Sequence, residues 1–298
     1  MRGRIIGRME DKLKISIVLP VYNEEGILRN NIQKLQSYLR KLNISYEIII
    51  CDDHSIDGTW QEALSLIKDN SKIKYLRFNK RIGKGGTIKN SIEVAKGNII
   101  LMLDADLPIN LNQIPKIVTN ANNSLVIGIR DSNSRATQTF LRRFLSHIYN
   151  SLVNLIFLTK IKDHQCGAKA LPIEAAKKLF PKIRCDGFMF DTELIVHAKR
   201  EGMQIVSMPI QWRELRRSGS KIIPLRVALT MLADLVILRI TSLFGRNILK
   251  LKQVEEGSFT CMNDGKSYSI RFTRIDGNQE FLNVLRKIYL TIAFGRER

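Results

Sequence analysis

The chain is poor in acidic residues and in cysteine, and it has no long apolar run. In 298 residues there are 28 Asp and Glu against 48 Lys and Arg, a formal net charge of +20. That imbalance predicts a polyanionic partner: nucleic acid, anionic lipid or a phosphorylated substrate. Four cysteines (Cys51, Cys166, Cys185, Cys261) stand far apart with no C-x-x-C pair. This excludes a disulfide scaffold or a thiolate zinc site and predicts reduced, structural thiols. No stretch reaches the ~18 uncharged apolar residues of a membrane span, so no transmembrane helix is expected. The opening Met1–Arg8 is basic but lacks the apolar core of a signal peptide. The four histidines (His54, His147, His164, His197) show no metal-ligand spacing and are expected at the surface or in packing.

What is present is a 44% hydrophobic chain with an α/β rhythm. Short apolar strands are predicted at 14–20, 46–52, 73–78, 98–104 and 125–130. Helical periodicity falls between them, over 24–42, 59–67 and 87–95. That alternation predicts a mostly parallel sheet covered by helices on both faces, with ligands at the carboxyl ends of the strands. Residues 135–160 read as one long helix, with Leu141, Leu145, Ile148, Leu152 and Leu155 spaced by fours and threes. From Arg213 to Lys252 nine Lys/Arg face only Glu214 and Asp234. Within it, 225–244 suits either a helix lying in a membrane interface or a core helix, and both readings stand. Residues 257–273 alternate around Asn263-Asp264-Gly265, a hairpin signal, and 281–294 suits a terminal helix.

The densest chemical signal is Asp104-Ala105-Asp106, where the fourth strand ends in two carboxylates. Residues i and i+2 of a strand point the same way, and hard oxygen ligands suit Mg²⁺ or Mn²⁺. Other polar segments fall at strand ends too: Pro20-Val21-Tyr22-Asn23-Glu24-Glu25, then Asp52-Asp53-His54-Ser55-Ile56-Asp57-Gly58, with Arg81-Ile82-Gly83-Lys84-Gly85-Gly86 opening a helix. Asp52 suits a cap on the turn that follows it. Asp57 suits either an N-cap or a binding role, and Glu24 either a ligand contact or the N-terminus of the next helix.

In order and spacing these segments resemble the nucleotide-sugar half of the family-2 glycosyltransferases with a GT-A fold. The later segments Val126–Arg130, Asp163–Lys169, Phe190-Asp191-Thr192-Glu193-Leu194, Pro209–Trp212 and Gly219-Ser220-Lys221 look like the polyprenyl-phosphate branch, the dolichyl-phosphate β-glucosyltransferases and mannose synthases. The resemblance implies an inverting hexosyl transfer from a nucleotide sugar, UDP-glucose before GDP-mannose, to a polyprenyl (dolichyl) phosphate. It implies a peripheral enzyme of glycan assembly at an anionic, cytoplasm-facing membrane surface. A basic nucleic-acid-binding protein and an inactive relative are the competing readings; no nucleic-acid motif is present.

By the same resemblance, Asp104 and Asp106 hold the metal. Pro20, Tyr22, Glu24, Cys51, Asp53 and Ala105 line the nucleotide slot, with Asp53 on the base or ribose. Lys84, Arg130, Arg143 and Lys221 supply cations to the phosphates. Asp191 and Glu193 would orient sugar hydroxyls or pair with the basic loop at Arg217. Pro108 stands where mannose synthases often carry a third metal ligand, Leu215 where they carry an arginine, and Ala168 where an aromatic is usual. The implied organisation is a basic extension over 1–13, the GT-A domain over 14–221, an interface-helix region over 222–250 and a tail over 251–298.

Overall fold

The computed structural model describes residues 14–131 (except 43 and 69), 140–213, most of 231–239, 253–263 and 266–275. The expected extension over 1–13, the terminal helix over 281–294, and Leu215, Arg217 and Lys221 lie outside the described residues. The chain divides into two compact units, Met1–Lys221 with Ser258–Ile270, and Ile222–Gly257 with Arg271–Arg298. In the second unit, the described residues between 231 and 239 are helical.

The first unit is built around a sheet. Strand β1 (Lys14–Val21) leads to α1 (Leu28–Lys41), β2 (Ser45–Asp52), α2 (Thr59–Lys68), β3 (Ile73–Phe78) and α3 (Lys84–Ser91). Then come β4 (Ile99–Met102), α4 (Ile114–Asn120), β5 (Ser124–Arg130), α5 (Phe140–Phe157), β6 (Lys169–Pro172), α6 (Ile173–Leu179), α7 (Phe190–Arg200), β7 (Gln204–Ile210), β8 (Gln253–Asn263) and β9 (Lys266–Ile275). The strand order is β7-β5-β6-β4-β1-β2-β3-β8-β9. β1 pairs in parallel with both β2 and β4, β2 with β3, and β5 with β7. β6 runs antiparallel between β4 and β5.

Strands β1, β2 and β4 are buried almost end to end. Their unbroken Ile/Val/Leu runs fit a sheet covered on both sides, where alternation would put polar groups into a core. Leu28, Ile32, Leu35 and Leu39 line the inner side of α1. The N-terminus of α1 has no side-chain cap of its own. Instead the Gly26 and Arg29 N–H groups donate to the Glu62 carboxylate of α2 at 2.6 and 3.1 Å, while the Glu24 carbonyl accepts from Ile27 and Leu28. The chain runs outward through β1, β2 and β3, then crosses back to place β4 on the other side of β1. A crevice therefore opens at the carboxyl ends of β1 and β4, where the strand order reverses.

Three sequence expectations need correction. β4 stops at Met102, not at Asp104: the Leu107 N–H donates to the Asp104 carbonyl at 3.0 Å with Leu107 left-handed at φ 47°, so the two aspartates ride a turn. α3 begins at Lys84, three residues before the predicted start, because Gly83 at φ 84° turns the chain directly into it. The long helix expected over 135–160 ends at Phe157, its first five residues lying outside the described residues; its buried side is Tyr149, Asn150, Val153 and Phe157, and Ile148 and Leu155 are exposed. Strands β6 and β7 were not anticipated. The hairpin over 257–273 is present as adjacent strands β8 and β9, and β8 pairs antiparallel with β3.

At the opposite end of the strands, buried Glu47 ties the sheet together. Its carboxylate accepts from the Ser16 hydroxyl and the Lys96 N–H, both at 2.5 Å, and pairs with Lys74 at 2.7 Å. Burial pushes this carboxyl up, but those hydrogen bonds and the Lys74 charge hold it below its ordinary value. Glu47→Ala strands buried Lys74 and is expected to cost about 3–5 kcal/mol in urea unfolding. A Glu47→Leu/Lys74→Met pair should recover most of that loss.

Candidate active site

The crevice walls are set first by backbone. The Asp53 N–H donates to the Val21 carbonyl at 2.9 Å, joining the ends of β1 and β2. Asp52 is fully buried and accepts from the Ser55 N–H at 2.8 Å and the Tyr75 hydroxyl at 2.6 Å, the capping role its place suggested. Asp57 accepts from the Thr59 N–H at 3.0 Å at the start of α2 and from the Glu25 N–H at 3.3 Å, so it joins two loops. Cys51 is sealed within β2, and Pro20 is half-buried near the end of β1.

Asp53 organises the loop that carries the basic residues. Its carboxylate takes the Ile82 N–H at 2.6 Å and the Gly83 N–H at 3.0 Å, and Arg81 Nε lies 3.5 Å away. Burial pushes its pKa up, with the Ile82 and Gly83 N–H groups and the Arg81 charge partly offsetting this. Only glycine suits position 83: its φ is left-handed, and a Cβ there would meet the Asp186 carbonyl at 2.4 Å. The Arg81 guanidinium lies 3.7 Å from the centroid of the Tyr22 ring. This cation–π stack closes one side of the crevice. The sequence reading had quoted Arg81 without giving it a task.

Below that loop, charges alternate from the crevice into the core. Lys84 Nζ bonds Asp104 Oδ1 at 2.9 Å and lies 3.6 Å from Asp191 Oδ2. Asp191 Oδ1 accepts from Lys169 at 2.7 Å, and fully buried Lys169 also donates to the Cys166 carbonyl at 2.6 Å. Burial opposes the charges on Lys84 and Asp191. Attraction wins in both: the Lys84 pKa is raised, chiefly by Asp104 and then Asp191, and Asp191 is held below the usual carboxylate range chiefly by Lys169 and then Lys84. Asp191 thus forms ion pairs with these two lysines, while Glu193 accepts the Cys185 N–H at 2.9 Å and lies 3.5 Å from His197.

Gly167 packs against Asp104 so closely that a Cβ would meet Oδ2 at 2.1 Å. Ala105 is buried, and its carbonyl accepts from Asn31 Nδ2 at 3.0 Å. Asp106 is half-buried on the same turn. Pro108 is buried too, and its carbonyl takes the Arg213 N–H at 2.6 Å. Among the described residues no three His, Cys, Asp or Glu side chains gather as a metal cage. Two hard carboxylates on one turn, backed by a glycine, fit a Mg²⁺ or Mn²⁺ ion that completes its shell with phosphate oxygens and water.

Arg130, just outside the Asp104 cluster, is held by Asp163 through Nε at 2.7 Å and Nη2 at 2.9 Å. This bidentate clamp fixes the plane of the guanidinium, which also lies 5.7 Å from the Trp212 centroid. His164 is fully buried between Asn150 Oδ1 at 2.6 Å and Thr159 Oγ1 at 2.8 Å. Cys166 is buried and its thiol is pushed up to about 12, by burial first and then by Asp163. Arg143 is exposed on α5.

A model of glycosyl transferase family 2 matches residues 16–180. The chain belongs to that family. It is 32% identical over 259 residues to a dolichyl-phosphate β-glucosyltransferase of Dictyostelium discoideum, covering 81% of this chain and 78% of that protein. The human protein of the same name is 30% identical, with 78% and 76% covered. Among solved structures, Mycobacterium tuberculosis glucosyl-3-phosphoglycerate synthase superimposes with a TM-score of 0.55 at 20% identity, over 81% of this chain and 85% of that one. At that identity the likeness speaks for the GT-A fold. This family-2 glycosyltransferase thus has the doubly wound architecture that its strand pattern implied.

The sequence reading placed Asp104, Lys84, Tyr22 and Asp53 at one crevice, and the structure joins them through Arg81 and Asp191. It quoted the segment Asp163–Lys169 but gave Asp163 and Lys169 no role. For Lys169 a signal existed, a charged residue opening an apolar run: Lys169-Ala170-Leu171 forms a buried strand, where a lysine needs a partner.

Lys169→Met leaves Asp191 with Lys84 alone and should cost about 3 kcal/mol of stability by thermal unfolding. His164 gives a pH signature. Its folded pKa is pushed down to about 4 from 6.5, by burial and then the Lys169 charge. Above pH 6.5 the ring is neutral in both states. Between 6.5 and 4 the unfolded chain takes up the proton first, so stability falls with pH by on the order of 3 kcal/mol. Denaturant titrations should show that drop reduced in His164→Gln.

Proposed function

We propose that this protein moves a glucosyl group, with inversion, from UDP-glucose to a polyprenyl phosphate of the dolichyl class at a membrane surface. The observation that carries the reading is 32% identity across 81% of the chain to a relative named for that transfer. Solved structures of the more distant glucosyl-3-phosphoglycerate synthase hold Mn²⁺ and UDP, which supports a donor of this type.

The chemistry asks for cations more than for a base. A phosphomonoester has its second pKa near 6, so the acceptor is already an anionic nucleophile at neutral pH. Two phosphates must then approach each other against their repulsion. Arg130, its plane set by Asp163, meets the acceptor phosphate; exposed Arg143 and, by the family resemblance alone, Lys221 add positive charge for it. Tyr22 and Arg81 flank the nucleotide, and Asp53 fixes the loop that carries Arg81. Lys84 turns its charge toward the departing diphosphate while Asp191 keeps it at the crevice. A Mg²⁺ or Mn²⁺ ion on Asp104 and Asp106 would neutralise the charge developing on that leaving group. No helix among the described residues is long and apolar enough to cross a membrane.

Purified protein given a short polyprenyl phosphate with UDP- and GDP-sugars should yield hexosyl polyprenyl phosphate from UDP-glucose, read by mass spectrometry. Product from GDP-mannose alone overturns the donor, and no lipid-linked product with any donor overturns the reading. Asp104→Ala and Asp106→Ala should each lower transfer by on the order of a hundredfold, the scale of losing one preorganised electrostatic contact, with unchanged melting for Asp106→Ala and a lowered melting temperature for Asp104→Ala, which leaves Lys84 with Asp191 alone.

A further inference from the structure

Lys84 stands between two carboxylates. Its Nζ bonds Asp104 Oδ1 at 2.9 Å and lies 3.6 Å from Asp191 Oδ2. The two partners differ in depth: the Asp104 side chain is 32% exposed at the crevice, that of Asp191 only 6%. Lys169 takes Asp191 Oδ1 at 2.7 Å, which leaves Oδ2 turned to Lys84. From the core outward the charges therefore run Lys169, Asp191, Lys84, Asp104, positive and negative in turn.

The backbone on both sides of the outer pair is fixed. The Gly83 N–H is held by Asp53 at 3.0 Å and the Gly86 N–H by the Asp186 carbonyl at 3.1 Å. The Lys84 carbonyl accepts the Thr87 hydroxyl at 2.8 Å. Asp104 rides a turn closed by the Leu107 N–H, and Gly167 packs against its carboxylate. The part free to move is the Lys84 side chain, an ammonium on a flexible four-carbon stem. A shift of under about 1 Å converts its separation from Asp191 into a hydrogen bond. That matters because the ammonium now occupies the very carboxylate that a divalent ion needs. Like charges a few ångströms apart repel strongly, so the two cations exclude each other from Asp104.

We propose that Lys84 is a removable occupant of the metal site, and that Asp191 is the positioning residue that receives it when a divalent ion binds Asp104. The inference rests on the reading that Asp104 and Asp106 hold such an ion, and adds that the chain itself competes for the place. An ion arriving alone has to displace Lys84. An ion arriving with a diphosphate brings Lys84 an anion in exchange, so ion and nucleotide strengthen each other's binding, by the same factor in both directions.

Mn²⁺ titrations of the full-length protein, read by EPR of the free ion, test this with and without UDP. Without UDP, Lys84→Met should bind Mn²⁺ about tenfold more tightly than wild type, and Asp191→Asn about tenfold more weakly, shifts of the size found between coupled sites. UDP should tighten Mn²⁺ binding by wild type more than by Lys84→Met. Because altered charge alone also moves these affinities, a crystal structure of wild type with Mn²⁺ is the second measurement. In it Lys84 Nζ should bond Asp191 and have left Asp104. This measurement needs no variant, so it decides the matter even where a substitution unfolds the chain. Lys84 still bonded to Asp104 with the ion in place overturns the inference, as does equal Mn²⁺ affinity in wild type and Lys84→Met. Wild type that takes up no Mn²⁺ even with UDP overturns the metal reading of Asp104 and Asp106, and the inference with it.

Discussion

The arrangement depends on a buried carboxylate held between two lysines. Asp191 sits at the start of α7, Lys169 on β6 and Lys84 at the start of α3. Burial opposes the charges of Lys84 and Asp191, and their ion pairs, with Asp104 and Asp191 for the lysine and with Lys169 and Lys84 for the carboxylate, outweigh it. The pairing positions Lys84 beside Asp104. It also joins three elements from distant parts of the sequence at the point where the crevice needs a rigid wall. Asp53 does the equivalent on the other side with backbone N–H groups, spending its carboxylate on the loop of Arg81, Ile82 and Gly83.

Much of this was legible in the sequence because the strands carry their evidence locally. Ile-rich runs such as Ile48-Ile49-Ile50 admit one reading, and a carboxylate pair at the end of such a run stands out. What local pattern did not show was which partner each charge would find. Asp163 and Lys169 are satisfied by Arg130 and Asp191, far away in sequence, and such pairings are decided by packing. Helix ends were misread for a related reason. Gly83 looks like any loop glycine until the Asp186 carbonyl leaves no room for a Cβ, and that contact starts α3 at Lys84. In α5, the leucines spaced by fours and threes showed a helix but not which side it buries. The face that is buried includes Tyr149 and Asn150, whose polar atoms answer Thr192 and His164, while Ile148 and Leu155 are exposed.

α5 joins two requirements that usually fall to separate parts of a protein. Its inner side is specific and polar, with an Asn and a Tyr holding the loops around Asp163 and Asp191. Its outer side exposes Phe144, Ile148 and Leu155 among Arg143, His147 and Ser151. The sharing is economical because the helix is rigid: side chains on opposite faces keep their spacing whatever touches one of them.

The sheet has one more consequence, in the order of assembly. β3 is the outermost of the strands laid down early, and its other edge pairs with β8, which comes near the end of the chain. During synthesis an open, apolar strand therefore waits until almost the whole polypeptide has left the ribosome. A chain interrupted before Phe259 would leave that edge bare, and such a fragment is the form most liable to stick to its neighbours.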